Sequence, residues 1–175
     1  MFERYTEKAR RVIFFSRYEA SQIGSRVIEP EHLLLGLLRE AKPLFASEQI
    51  QHMTDELRAA AHVEGAAVGT SVDLPLSHSA KKVLAYGAEE AERLKHPYIS
   101  PEHLLLGLMR EPNLAATTLE KYGIRRDRIL AGAQQNIANE MKSRETVIEL
   151  RGALAPLVER LTPEIEPVVV YTLRP

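Results

Sequence analysis

The 175-residue chain has no cysteine. Disulfides and thiolate metal sites are therefore excluded, and a reducing, cytoplasmic setting is expected. Charge of either sign is nearly balanced, with 24 acidic against 23 basic residues and a formal net charge of −1. The basic surplus that a nucleic-acid binder sets against phosphates is missing. The short basic cluster Arg125, Arg126 and Arg128 reads as a solvated helix start. No apolar run approaches the roughly 20 residues that span a bilayer, so no membrane partner is expected. The start, MFERYTEKARR, is charged throughout and lacks the apolar stretch of a signal peptide. No G-x-x-x-x-G-K-[ST] phosphate loop occurs, so no ATPase is expected. No G-x-S-x-G elbow and no zinc signature occurs either. The chain therefore reads as a non-enzyme without catalytic residues, metal or cofactor.

What the chain does have is repetition. IEPEHLLLGLLRE at 28–40 returns as ISPEHLLLGLMRE at 99–111, with two of thirteen positions changed and an offset of 71. At that offset Thr6 falls on Ser77, Ala9 on Ala80, Val12 on Val83, Ile13 on Leu84, and Glu19-Ala20 on Glu90-Ala91. A period this long exceeds that of one-unit solenoid repeats and points to a duplicated subdomain. Such halves pack readily about a pseudo-twofold axis.

Each half reads as helical. Ala9, Val12, Ile13, Ser16, Ala20 and Ile23 recur at spacings of three and four, giving one buried stripe. Thr6 and Ser77 stand at the N-cap positions of their helices. Pro30 and Pro101 suit a first helical turn, where the missing N–H costs nothing. Ser100 is a natural N-cap for the second helix of its half, and Glu29 a poorer one. The run Leu33, Leu34, Leu35, Leu37, Leu38 covers most of a helix circumference, which predicts a central, buried helix in each half. Gly36 and Gly107 lie inside these helices, where glycine costs about 1 kcal/mol relative to alanine. Their presence in both halves predicts that another backbone crosses closely there. After this phrase the halves diverge. Tyr122-Gly123 is a C-cap signal followed by another helix. The first half lacks a matching glycine, so its third helix is expected to be shorter or distorted.

These segments organise the chain into a first repeat at 1–65, a linker at 66–76, a second repeat at 77–142 and a C-terminal extension at 143–175. The linker is marked by glycine, serine and proline. The extension reads as one more helix, interrupted at Pro156, and then an extended tail. That tail contains PVVVYT, which either adds as a strand to a partner's sheet or stays disordered.

MFERYTEKARRVI, EPEHLLLGLLRE, SAKKVLAYGAEEA and SPEHLLLGLMREPNLAATTLEKYGI together resemble the two repeats of the Clp N-terminal domain. The similarity is greatest to that of the ClpC-type AAA+ unfoldases and covers residues 1 to about 142. It implies an all-α fold of two pseudo-twofold-related four-helix repeats, here followed by a C-terminal helix and extended tail. With no ATPase signature present, the resemblance favours a stand-alone protein of this kind. It implies a non-catalytic binding module that engages protein substrates, adaptors or a partner unfoldase. The alternative is an interaction protein that has kept the fold without substrate recognition.

In ClpC-type members the domain also recognises phosphoarginine. The residues for that task are the acidic residue of each Glu-His pair and the hydroxyl starting each first helix. They correspond here to Glu31 and Glu102, and to Thr6 and Ser77. A carboxylate can take a planar guanidinium through two parallel hydrogen bonds, while phosphate suits hydroxyls and helix N-termini. Where family members commonly have Gly-Thr before the Glu-His pair, this chain has Glu29-Pro30 and Ser100-Pro101. Each proline removes a donor, and Glu29 adds negative charge beside the first site. A purely structural role for both glutamates is also open, because a first-turn glutamate favours the helix dipole by about 0.3–1 kcal/mol. His32 and His103 read as packing or locally hydrogen-bonded residues. Adjacent helical residues point about 100° apart, so a Glu-His pair does not easily face one ion.

A second candidate surface comes from an asymmetry. Phe14 and Tyr18 project opposite the buried stripe of the first helix, whereas their partners in the second half are Ala85 and Glu89. Paired aromatics suggest a partner surface. Alternatively the C-terminal helix, with Leu150, Leu154, Leu157, Val158 and Leu161, folds back over them. The resemblance adds Phe2, which matches a position near the family's partner-binding face; alternatively Phe2 simply anchors the N-terminus.

Overall fold

A computed structural model describes residues 3–61 and 73–135. Phe2, residues 66–72 of the linker and the whole 143–175 extension lie outside the described residues. Within them the chain is helical and contains no strand. The helices are α1 (Glu7–Ile23), α2 (Pro30–Glu40), α3 (Ser47–Ala61), α4 (His78–Arg93), α5 (Pro101–Leu108) and α6 (Leu114–Lys121). Residues 126–135 are helical too and are called α7.

Helix starts follow the expected chemistry. The Thr6 hydroxyl accepts from the Ala9 N–H at 3.2 Å, and the Ser77 hydroxyl from the Ala80 N–H at 3.0 Å. Both satisfy a donor that the first turn would otherwise leave open. α1 ends at Gly24, left-handed at φ 85°, and the repeat-equivalent Lys95 adopts φ 57°. In both places the next N–H closes back on the helix: Ser25 to the Ala20 carbonyl at 2.9 Å, His96 to the Ala91 carbonyl at 2.8 Å.

The core is built on α2 and α5. Leu33, Leu34, Leu35, Leu37 and Leu38 are all buried, as are Leu104, Leu105, Leu106 and Leu108. Each such side chain contributes about 2 kcal/mol of apolar burial. α1 lies along α2 and α4 along α5. The two glycines mark these crossings. A Cβ on Gly36 would collide with the Val12 carbonyl oxygen and the Ser16 hydroxyl, and one on Gly107 would lie 2.5 Å from the Val83 carbonyl oxygen. The backbone crossing predicted from the two glycines is present in both lobes.

The lobes diverge where the sequence does. In the second, Asn113 caps α6, which ends at Tyr122 and Gly123 (φ 70°) before α7 begins. In the first, a 3-10 turn over Lys42–Leu44 replaces that helix, and the longer α3 follows. Pro43 sits in this turn and removes a donor that a full helix would use.

The lobes meet by reciprocal exchange. Tyr5 bridges to Ile99, and Leu76, its equivalent, bridges to Ile28, the equivalent of Ile99. The Thr6 N–H donates to the Ile99 carbonyl at 2.9 Å and the Ser77 N–H to the Ile28 carbonyl at 3.0 Å. The Ile99 N–H donates to the Arg4 carbonyl at 2.7 Å and the Ile28 N–H to the Pro75 carbonyl at 2.8 Å. Position i of one repeat meets j of the other, and j meets i. That is the signature of a pseudo-twofold relation.

Candidate functional site

The exchange decides how the predicted site residues are brought together. The start of α1 lies against the segment leading into α5, so Thr6 belongs with Ser100, Pro101 and Glu102. The start of α4 lies against the segment leading into α2, so Ser77 belongs with Glu29, Pro30 and Glu31. The sequence places a hydroxyl and a glutamate in each repeat. The fold sets the capped start of each first helix beside the backbone that leads into the other repeat's glutamate-bearing helix. Both glutamates occupy a first helical turn. Glu102 is 8% exposed and Glu31 is half-buried. Burial raises the Glu31 carboxyl above its ordinary value, its own backbone N–H lowers it, and the neighbouring Glu29 charge raises it further. The extra negative charge expected at the first site is thus felt there. The Thr6 and Ser77 hydroxyls each accept a backbone N–H as helix caps.

His32 and His103 are buried and close their helices locally. The His32 Nδ1 accepts from the Glu29 N–H and the His103 Nδ1 from the Ser100 N–H, both at 2.9 Å. The second nitrogens differ. His103 Nε2 lies 2.7 Å from Nδ1 of His96, one of the two donating to the other. The repeat-equivalent of His96 is Ser25, whose hydroxyl donates to the Val27 carbonyl at 2.7 Å. His32 Nε2 has no hydrogen-bond partner among the described residues. Among those residues no cluster of three metal-ligating side chains occurs.

Burial lowers both histidines from 6.5 to about 4, with His96 adding to the effect at His103. Their neutral forms therefore belong to the folded state, and the unfolded chain takes up more protons below its own value. The stabilising contribution is complete above pH 6.5 and is lost as pH falls towards 4. Each histidine is expected to remove up to about 3 kcal/mol over that window. Urea denaturation at pH 7 and near the lower limit measures this. His32→Asn, whose amide oxygen replaces Nδ1 as acceptor, should lose a substantial part of the slope.

One pair of polar residues was not singled out from the sequence as a structural site, although it repeats at the same offset. Glu19 and Glu90 are buried on α1 and α4. Glu19 accepts from Nε and Nη2 of Arg58 on α3, at 2.8–3.0 Å, and from Arg39 on α2 at 3.5 Å. Glu90 accepts from Nε and Nη2 of Arg93 at 3.0 and 2.7 Å, and from Arg126 on α7 at 2.6 Å. Burial alone would raise the Glu90 carboxyl, but Arg126 and Arg93 hold it below the usual range. A charged residue repeated inside an apolar stripe was the available signal. Arg126, read from sequence as part of a solvated basic cluster, is instead a partner of this buried carboxylate.

The outer faces of α1 and α4 also differ. Phe14 is 64% exposed and Tyr18 37%. On α4 their equivalents are Ala85 and Glu89, and Ala85 with Ala88 borders a groove of about 490 Å³, lined also by Tyr5, Leu76, Leu84 and Ile99. No helix among the described residues is long and apolar enough to cross a membrane.

The profile of the Clp repeat (R) N-terminal domain family matches residues 75–161. The chain is 42% identical over 129 residues to the chloroplastic chaperone protein ClpC1 of Oryza sativa subsp. japonica, covering 70% of this chain and 14% of that one. It is 35% identical over 172 residues to the ClpA homolog, an ATP-dependent Clp protease ATP-binding subunit, of Porphyra purpurea, covering 95% of this chain and 20% of that one. The chain thus spans about one-seventh to one-fifth of the length of these relatives. Among solved structures, the N-terminal domain of the chaperone ClpD from Arabidopsis thaliana superposes with a TM-score of 0.58 at 27% identity, over 79% of this chain and 97% of that one. The duplicated helix pairs, the reciprocal contact between lobes and these similarities lead to one assignment: the chain belongs to the Clp N-terminal repeat domain family, the protein-interaction module of Clp chaperones.

Proposed function

We propose that the domain recognises protein substrates or adaptors for a Clp-type unfoldase, and that it does so in part by reading phosphoarginine. What supports this reading is the cross-lobe exchange, which sets the N-terminus of α1 beside the segment entering α5 and that of α4 beside the segment entering α2, with a first-turn glutamate in both α5 and α2. A carboxylate there takes the guanidinium end of the mark, and the hydroxyl with nearby N–H groups takes the phosphate. Two such sites facing one chain favour substrates marked more than once, through effective concentration. The site at Glu102 is the stronger of the two, because Glu29 repels phosphate at the other. Phe2, Phe14 and Tyr18 form a separate partner surface in this reading. No step of bond making or breaking is assigned to the domain. The cysteine-free composition suits a reducing compartment such as the cytoplasm.

Calorimetric titration of phosphoarginine into the full chain tests the proposal. Glu102→Gln should weaken binding about tenfold or more, Glu31→Gln less, and the double variant should abolish the heat. Thermal melts of the variants check that the fold is kept. A wild type that gives no heat with phosphoarginine would overturn the mark-reading role. It would favour the alternative, an interaction protein on the same fold.

A further inference from the structure

We propose that His96 is a positioning residue for the phosphoarginine site at Glu102: acting through His103, it holds the backbone that enters α5, and the site at Glu31 lacks this hold because Ser25 stands in its place. This deepens the reading of the domain as a phosphoarginine reader and rests on it.

The two Glu-His pairs are identical in sequence and cap their helices alike. His103 Nδ1 accepts from the Ser100 N–H and His32 Nδ1 from the Glu29 N–H, both at 2.9 Å. The Ser100 hydroxyl oxygen also lies 2.9 Å from His103 Nδ1. A neutral ring whose Nδ1 accepts carries its proton on Nε2. Both rings therefore have an Nε2–H to donate. That of His103 meets Nδ1 of His96 at 2.7 Å, and the two rings cross edge to face with centroids 4.9 Å apart. That of His32 has no hydrogen-bond partner among the described residues, although the ring is buried.

His96 is itself set by the end of α4. Lys95 adopts φ 57°, a left-handed conformation that is costly for a lysine and easy for a glycine. The His96 N–H then closes on the Ala91 carbonyl at 2.8 Å, and its buried ring meets His103. In the first lobe Gly24 and Ser25 make the same turn. There the Ser25 hydroxyl donates to the Val27 carbonyl at 2.7 Å and accepts from the Val27 N–H at 3.3 Å, so it closes on its own loop.

A relay thus runs from the end of α4 through His96 and His103 to Ser100, the N-cap of α5. Ile99, beside it, exchanges hydrogen bonds with Arg4 and Thr6 at the start of α1. Glu102 stands between Ser100 and His103, both of them held. The turn that takes the mark is therefore fixed before the ligand arrives, which lowers the ordering cost of binding. In the first lobe the ring that caps Glu29 is tied at one nitrogen among the described residues. This difference between the sites is separate from the charge of Glu29, because Ser25 and Glu29 can be changed independently.

Amide NMR on the full chain, with phosphoarginine as titrant, reads the two sites separately through the signals around Glu102 and around Glu31. His96→Ser should weaken binding at Glu102 about tenfold, the worth of one hydrogen bond, and leave binding at Glu31 unchanged. His96→Asn, whose amide oxygen replaces Nδ1 as acceptor, should keep most of the affinity. Ser25→His should tighten binding at Glu31 several-fold, a gain that loss of stability cannot imitate. Hydrogen exchange follows the relay without any ligand. The Ser100 amide should exchange more slowly than that of Glu29 in the wild type and should quicken in His96→Ser, and the Glu29 amide should slow in Ser25→His. Unchanged affinity at Glu102 in His96→Ser, equal weakening at both sites, or a slowed Glu29 amide with no gain in affinity at Glu31 would each overturn the positioning role and leave the phosphoarginine reading standing. A wild type that binds no phosphoarginine at either site would overturn that reading, and this role with it.

Discussion

Gly107→Ala is expected to destabilise the domain by about 3 kcal/mol. The new Cβ would sit 2.5 Å from the Val83 carbonyl oxygen and 2.8 Å from the Gly87 nitrogen. Both are main-chain atoms of α4, so no side chain can turn aside. The two helices must separate instead, which loosens α5 and its buried Leu104, Leu105, Leu106 and Leu108. A loss of that size lowers the melting temperature of a chain this long by roughly 10 °C. Gly36→Ala should destabilise comparably, because its Cβ would meet the Val12 carbonyl oxygen and the Ser16 nitrogen, both main-chain atoms of α1, as well as the buried Ser16 hydroxyl. Gly132→Ala is the control. Nothing lies within 4 Å of its Cβ, so the better helix former should add about 0.5–1 kcal/mol. A Gly107→Ala protein that melts with the wild type would mean that α4 and α5 do not pack backbone to backbone.

Arg58→Met should cost about 3 kcal/mol, and Glu19→Gln clearly less. The asymmetry follows from exposure. The Glu19 side chain is 3% exposed, so removing Arg58 leaves a buried carboxylate with, among the described residues, only Arg39, 3.5 Å away. The Arg58 side chain is 46% exposed and can turn to water when its partner goes. The double variant Arg58→Met with Glu19→Met should recover much of the loss, since an apolar pair leaves no orphaned charge. Chemical denaturation of the three variants forms a double-mutant cycle. Equal costs for the two single changes would show that Glu19 is solvated in the folded protein, against the buried geometry.

Much of this architecture was legible in the residues. Thr6 and Ser77 cap their helices as read, the leucine runs are buried, and the two glycines sit where backbones cross. Each depends on local periodicity or a steric rule that needs no knowledge of the partner element. The missing glycine stop marked the divergence after α2, but the 3-10 turn at Lys42–Leu44 was not read from the sequence, and the α3 that follows it is longer than α6, not shorter. Glu19 and Glu90 were harder. A glutamate at an inner position is readable only when the arginines that neutralise it are known, and Arg58 and Arg126 lie 39 and 36 positions away. The roles of His32 and His103 diverge for a similar reason. The rings are identical in sequence context, but the residue that meets the second nitrogen is His96 in one lobe and is not matched in the other.

The sequence by itself determined that the protein is a duplicated helical domain with two first-turn glutamates and two capping hydroxyls. Periodicity, caps and a gap-free repeat are properties of neighbouring residues along one chain. Only the tertiary structure decided that the entry to α1 lies against the entry to α5, and the entry to α4 against the entry to α2. Tyr5 pairs with Ile99 and Ile28 with Leu76 across the lobes, and a spacing of 71 residues cannot distinguish that exchange from pairing within a repeat. The choice is made by backbone hydrogen bonds between the segments that enter α1 and α5, and α4 and α2. These satisfy polar groups that would otherwise be buried alone.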